Sequence, residues 1–206
     1  AAYSTVEKNH SRALMPGSDL MRLNGNPVHM DMDNALDLLP DIPILSIQAA
    51  SDDVIFAGGI RSSFKDAVRA AAQIHTLKFS ERADIVITYA TPPMDIDLYQ
   101  THKAMEHAKL ALKDGGTMIV VSLCREGIGP DNFYQLMTNN SQEQISQKAY
   151  ARYRLGYHKP VRLLELTRNY RVILISSLRP ETLVPLGFEH FESLETACNS
   201  SCSNDD

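Results

Sequence analysis

Cysteine is scarce and never closely paired. Cys124, Cys198 and Cys202 are the only three in 206 residues, and no C-x-x-C occurs. That excludes a disulfide scaffold and leaves free thiols of a cytoplasmic protein as the expectation, with pairing or metal binding by Cys198 and Cys202 as the alternative. Basic charge is not in excess either. Lys and Arg total 20 against 25 Asp and Glu, a formal net charge of −5, so there is no general footprint for nucleic acid. No apolar run reaches the length of a membrane span and no signal-peptide core is present, so no membrane partner is expected. There is no internal repeat. No G-x-G-x-x-G follows a predicted strand, which argues against a Rossmann-type dehydrogenase. The chain opens with Ala1 rather than Met, as a processed, trimmed or cloned piece would.

What is present is an ordinary globular composition, 44% hydrophobic and 22% charged, long enough for one domain or for one plus part of another. The organising stretch runs from Ala83 to Phe133. Ile85, Val86 and Ile87 form a β-branched run of the kind buried in parallel sheets, and Thr117 to Leu123 repeats it. Between them the pattern predicts a helix capped by Asp95 or Asp97 and ended by Gly115. A unit of this length makes a right-handed parallel crossover, so the fold class expected is α/β: a parallel-sheet domain with flanking helices.

On that helix Leu98, Thr101, Met105, Ala108 and Leu112 share one arc, a core stripe. Tyr99, Gln100 and Lys103 share the opposite arc, near the loop that leaves the first strand. Ligands gather at such strand ends in open parallel sheets. A phenol, an amide and an ammonium there suit a small oxyacid, with a solvated outer face as the alternative.

Before this unit, residues 1–29 read as loop with at most one helical turn. A helix over 31–39, a hairpin of strands 42–49 and 54–57, and a long helix from Ser62 or Ser63 make a small separate layer, and Ser80 to Ala83 is the boundary. Beyond it come the Gly127–Gly129 loop, read as a tight turn, then helices over 130–137, 142–155 and 160–169. A third strand over 171–176, a helical turn over 180–186, a last helix over 192–198 and a disordered tail complete the chain. His10 stands in a polar segment with no second His or Cys at ligand spacing, which by itself describes a surface histidine.

The segments D-I-D-L-Y-Q-T-H-K-A-M, K-D-G-G-T-M-I-V and E-G-I-G-P-D-N-F-Y, with Y-S-T-V-E-K-N-H-S and N-G-N-P-V-H-M-D-M upstream, resemble the C-terminal part of the nickel-dependent lactate racemase family. The likeness runs in order along nearly the whole chain. It implies that residues 1–80 end a cofactor-carrying N-terminal domain, that 81–199 form an α/β lid and substrate domain, and that 200–206 are tail. It implies a nickel pincer nucleotide cofactor, with His10 matching the protein's nickel ligand in its N-H-S context. Tyr99, Gln100 and Lys103 match the helix that closes over a small 2-hydroxy acid, lactate or a related one. In that family, hydride leaves the α-carbon and returns to its other face. The cofactor-bearing lysine, the proton-transferring histidine pair and a carboxylate-gripping arginine match no residue here, so this chain alone is expected to be silent. It is also expected to self-associate or to join an N-terminal domain. Tyr89-Ala90-Thr91-Pro92-Pro93-Met94-Asp95 departs from the family's N-G-G-Y-P-L-D loop, and Ile128 stands where many members have histidine, which leaves the acid open. The alternative from another class is a non-catalytic domain that binds a small anion or a protein.

Overall fold

Short β-branched runs alternating with amphipathic helices build a parallel sheet in the computed structural model, which describes residues 2–40 and 42–202. In chain order the elements are α1 (Tyr3–Ser11), α2 (Pro27–Leu36), β1 (Ser46–Ser51), β2 (Val54–Gly58), α3 (Ile60–His75), β3 (Ala83–Tyr89), α4 (Leu98–Ala108), β4 (Leu112–Val121), α5 (Asp131–Thr138), α6 (Gln142–Ala151), α7 (His158–Asn169), β5 (Arg171–Ile175), α8 (Pro180–Leu183), β6 (Glu189–His190) and α9 (Leu194–Cys202). One compact unit holds the residues up to Asp33 and from Glu81 onward; Asn34–Ser80 form the other. In the smaller unit, β1 and β2 pair antiparallel and α3 packs on them.

The larger unit is built on a sheet of order β3-β4-β5-β6, every neighbour parallel. This is the α/β class the sequence implied. Side chains alternate across the sheet. Met118, Val120, Val172 and Leu174 enter the main core with Leu98, Met105, Phe133, Leu163 and Leu166 from the helices on that face. Ile119 and Ile173 point the other way, onto Ala197 of α9. Full burial of a side chain such as Leu98 or Met105 contributes about 2 kcal/mol. All five residues of the predicted stripe are buried, Leu112 from β4.

Several local expectations are corrected. The first residues are not mostly loop: α1 is a full helix followed by a 3-10 turn, Arg12–Leu14. The second helix starts at Pro27 rather than Asp31, and the first strand at Ser46 rather than Ile42. α4 ends at Ala108, with a 3-10 turn over Lys109–Ala111, so Leu112 and Gly115 belong to β4 rather than to the helix and its stop. The two glycines sit in an irregular stretch of that strand, where pairing jumps from Ala83–Leu112 to Ile85–Thr117. A Cβ on Gly116 would come within 2.8 Å of the Asp84 carbonyl oxygen, so the strands approach there only because glycine is present. Ile87 is 52% exposed because β3 is the sheet's edge. The last helix runs on to Cys202, which takes residues 200–202 out of the expected tail; 203–206 lie outside the described residues.

Candidate functional site

The site lies where the loops leaving β3 and β4 meet the start of α4. Asp97 caps that helix, accepting the Gln100 N–H at 2.6 Å. The Thr101 N–H bonds the Asp97 carbonyl, while Leu98 N–H and Tyr99 N–H donate to the carbonyls of Gly127 and Ile128 at 3.1 and 2.9 Å. The first four amides of α4 are therefore all taken, so an anion at this end must be held by side chains rather than by the helix terminus. The glycine loop is a turn built for this closure. A Cβ on Gly129, at φ +121°, would lie 2.6 Å from the Tyr99 Cβ.

Tyr99 is half-buried, its ring edge-on to Phe133 with centroids 5.4 Å apart. Lys159, in the first turn of α7, places its ammonium 3.8 Å from the centre of the Tyr99 ring and donates to the Tyr99 carbonyl. Burial raises the Tyr99 phenol above its ordinary pKa. Burial, reinforced by the charge of Lys103, lowers the Lys159 ammonium to about 8, against the opposing pull of Asp97 and Glu106. Gln100 keeps its amide oxygen buried with no protein partner. Lys103 is exposed, its ammonium 3.6 Å from the Met94 sulfur.

His10 approaches from α1. Its Nδ1 lies 2.9 Å from the Val6 carbonyl, which can only accept, so the neutral ring carries its proton there and leaves a lone pair on Nε2. The helix is fastened at a distance: Glu7 accepts the Leu155 N–H at 2.8 Å, and Asn9 donates to Val28 and Asp31. The His10 ring lies 6.0 Å from that of His158, whose Nδ1 meets the Tyr153 hydroxyl at 2.7 Å. Burial first, then the charge of Lys159, pushes His158 down to about 3, so it stays neutral. The start of α7 thus joins the two parts of the predicted site: His158 beside His10, Lys159 against Tyr99. No hydrogen bond or ring contact joins Gln100 or Lys103 to His10. Among the described residues, no group of three or more His, Cys, Asp or Glu could hold a metal ion, and no helix is long and apolar enough to cross a membrane.

Behind the site, the Thr101 hydroxyl lies 2.7 Å from that of Ser122, and both approach the buried Cys124 thiol. Glu106, nearly buried, accepts from Lys109 at 3.0 Å and Arg162 at 3.2 Å, with His102 at 3.6 Å. Arg162 also bonds the Ala13 and Ser18 carbonyls, fixing the chain that follows α1. All three cysteines are free.

The larger unit has relatives among known proteins. Residues 79–205 match the lactate racemase C-terminal domain. The chain belongs to this family. It is 32% identical over 126 residues to lactate racemase from Thermoanaerobacterium thermosaccharolyticum, covering 59% of this chain and 29% of that protein. Identity to lactate racemase from Lactiplantibacillus plantarum is 28% over 139 residues, 65% of this chain and 33% of that one. The solved structure of the T. thermosaccharolyticum lactate racemase apoprotein shares the fold, with a TM-score of 0.84 at 24% identity over 98% of this chain. This chain covers only 51% of that structure and a third or less of the two curated relatives.

His158, Lys159 and Tyr153 were not singled out from the sequence. The run Gly156-Tyr157-His158-Lys159 opening a helix was the available signal, and only the fold shows what it meets.

Proposed function

We propose that this chain is part of a racemase or epimerase of a small 2-hydroxy acid, lactate or a related one, acting in the cytoplasm. Residues 1–80 would end a cofactor-carrying N-terminal domain, with the part up to Asp33 packed in one unit with the residues from Glu81 onward, and 81–199 would form the domain that closes over the substrate. The observation that carries this reading, beside family membership, is the convergence of His10 and the Tyr99–Lys159 pair at the start of α7.

The residues present fit a nickel pincer nucleotide. His10 has its Nδ1 proton committed to Val6, so Nε2 can serve as a single imidazole ligand, and among the described residues no cluster competes for the metal. The cofactor's own donors would complete the coordination, and when bound it supplies the hydride acceptor. The work of this chain is positioning. Lys103 neutralises the substrate carboxylate, Gln100 offers its unpartnered amide oxygen to the substrate hydroxyl, and Tyr99 lines the site with its ring against Lys159. The groups that move the hydroxyl proton would come from the N-terminal domain, whose docking excludes water. The domain's association, or that of a second copy, is part of this proposal.

The test is stereochemical. The longest natural form of the protein, produced with cofactor supply, is incubated with single enantiomers of 2-hydroxy acids. Chiral separation should show interconversion of at least one acid, with Lys103→Met lowering kcat/KM by roughly a hundredfold through loss of a charge-assisted contact. Binding of an acid without interconversion, despite proven cofactor loading, would favour the non-catalytic anion-binding domain instead.

A further inference from the structure

Lys159 is 6% exposed, and an ammonium that deep is costly unless its donors are filled. It has three N–H donors, yet the protein gives it one oxygen, the Tyr99 carbonyl, and the face of one ring. No carboxylate lies within ion-pair distance of it among the described residues. Glu106 and Asp97 act on it only through the longer-range field, Glu106 being held by Lys109 and Arg162 and Asp97 by the Gln100 amide. Asp95, buried without a partner, acts on Cys124 and is not among the groups that act on Lys159.

The carbonyl that Lys159 touches also marks its position. In an α-helix the carbonyl of residue 99 faces the amide of residue 103, so the Lys159 ammonium stands at the turn from which the Lys103 side chain departs. Lys103 likewise has no carboxylate partner among the described residues, only the Met94 sulfur. Two cations therefore share one turn of α4 with no paired carboxylate among the described residues, beside the unpartnered Gln100 oxygen. A monocarboxylate neutralises one of them.

We propose that Lys159 is a second anion-holding residue of this site, and that the acid it serves is a 2-hydroxy acid bearing a second carboxylate. This rests on the 2-hydroxy acid reading above. Lys103 takes one carboxylate and Lys159 the other, with the hydroxyl toward Gln100.

Calorimetric titration of the longest natural form with lactate and with malate tests this directly. Malate should bind about tenfold or more tightly than lactate, the worth of one further charge-assisted contact. Lys159→Met, close in shape, should erase that margin, and Lys159→Arg should keep most of it. Equal affinity for the two acids in the unaltered protein would overturn the proposal. So would equal weakening of both acids by Lys159→Met, which would make Lys159 only a support for Tyr99. Binding of neither acid would overturn the 2-hydroxy acid reading itself, and this inference with it.

Discussion

The ammonium of Lys159 stands 3.8 Å from the centre of the Tyr99 ring and donates to the carbonyl of the same residue. One side chain from α7 thus grips both the ring and the backbone at the start of α4. Its neighbour His158 faces His10 on α1. The geometry of the candidate site depends on this one helix start.

Gly129→Ala should damage the site by displacement rather than by chemistry. The new Cβ would meet the Tyr99 Cβ at 2.6 Å on a backbone with φ +121°, and both atoms are held by the bonds that close the glycine loop onto α4. A loss of about 2–4 kcal/mol in urea unfolding is expected, with Gly156→Ala, also at positive φ but with its Cβ meeting only the ring and hydroxyl of Tyr99 at 3.3 and 3.4 Å, costing less. Equal and negligible losses would contradict this packing.

Lys159 should leave a signature in the pH dependence of stability. Its folded pKa of about 8 lies below the ordinary 10.5. Between these values the unfolded chain binds more protons at this position, so the group's contribution rises with pH across the window, and its full cost is present below it. Lys159→Met should be favoured relative to the unaltered chain below pH 8 and lose that advantage near about pH 10. Denaturant unfolding at the two pH values checks it; a difference independent of pH would refute the depressed pKa.

Removing the carboxylate of Glu106 should destabilise the larger unit. It is buried between Lys109 and Arg162, and Arg162 in turn holds Ala13 and Ser18. Glu106→Ala leaves Arg162 without its counter-charge at a cost of about 3 kcal/mol. Thermal unfolding of the variant, set beside Arg162→Met, measures this. A loss within a few tenths of that scale from zero would mean that the network is solvated.

The legible parts of the fold were those fixed by nearby residues. The α4 stripe of Leu98, Thr101, Met105 and Ala108 declares itself by period, although Leu112 falls outside the helix, and of the two caps read, Asp95 or Asp97, the helix uses Asp97. α1 was missed because it buries only Asn9 and is held from far away, by Leu155, Val28 and Asp31. Gly115-Gly116 was misread as a helix stop because the same dipeptide serves an irregular strand, and only the approach of Asp84 distinguishes them. Tyr99, Gln100 and Lys103 could be named from one turn of helix, but Lys159 meets Tyr99 across sixty residues, a separation that no local pattern encodes.

The His10 assignment carries the central claim, and nickel content together with intact mass tests it most directly. The longest natural form, co-expressed with cofactor-synthesis enzymes, should contain one nickel per chain and a covalent nucleotide adduct. His10→Ala should lose the nickel while keeping the adduct. An unmodified mass and no metal despite proven cofactor supply, or full nickel retention in His10→Ala, would contradict the account.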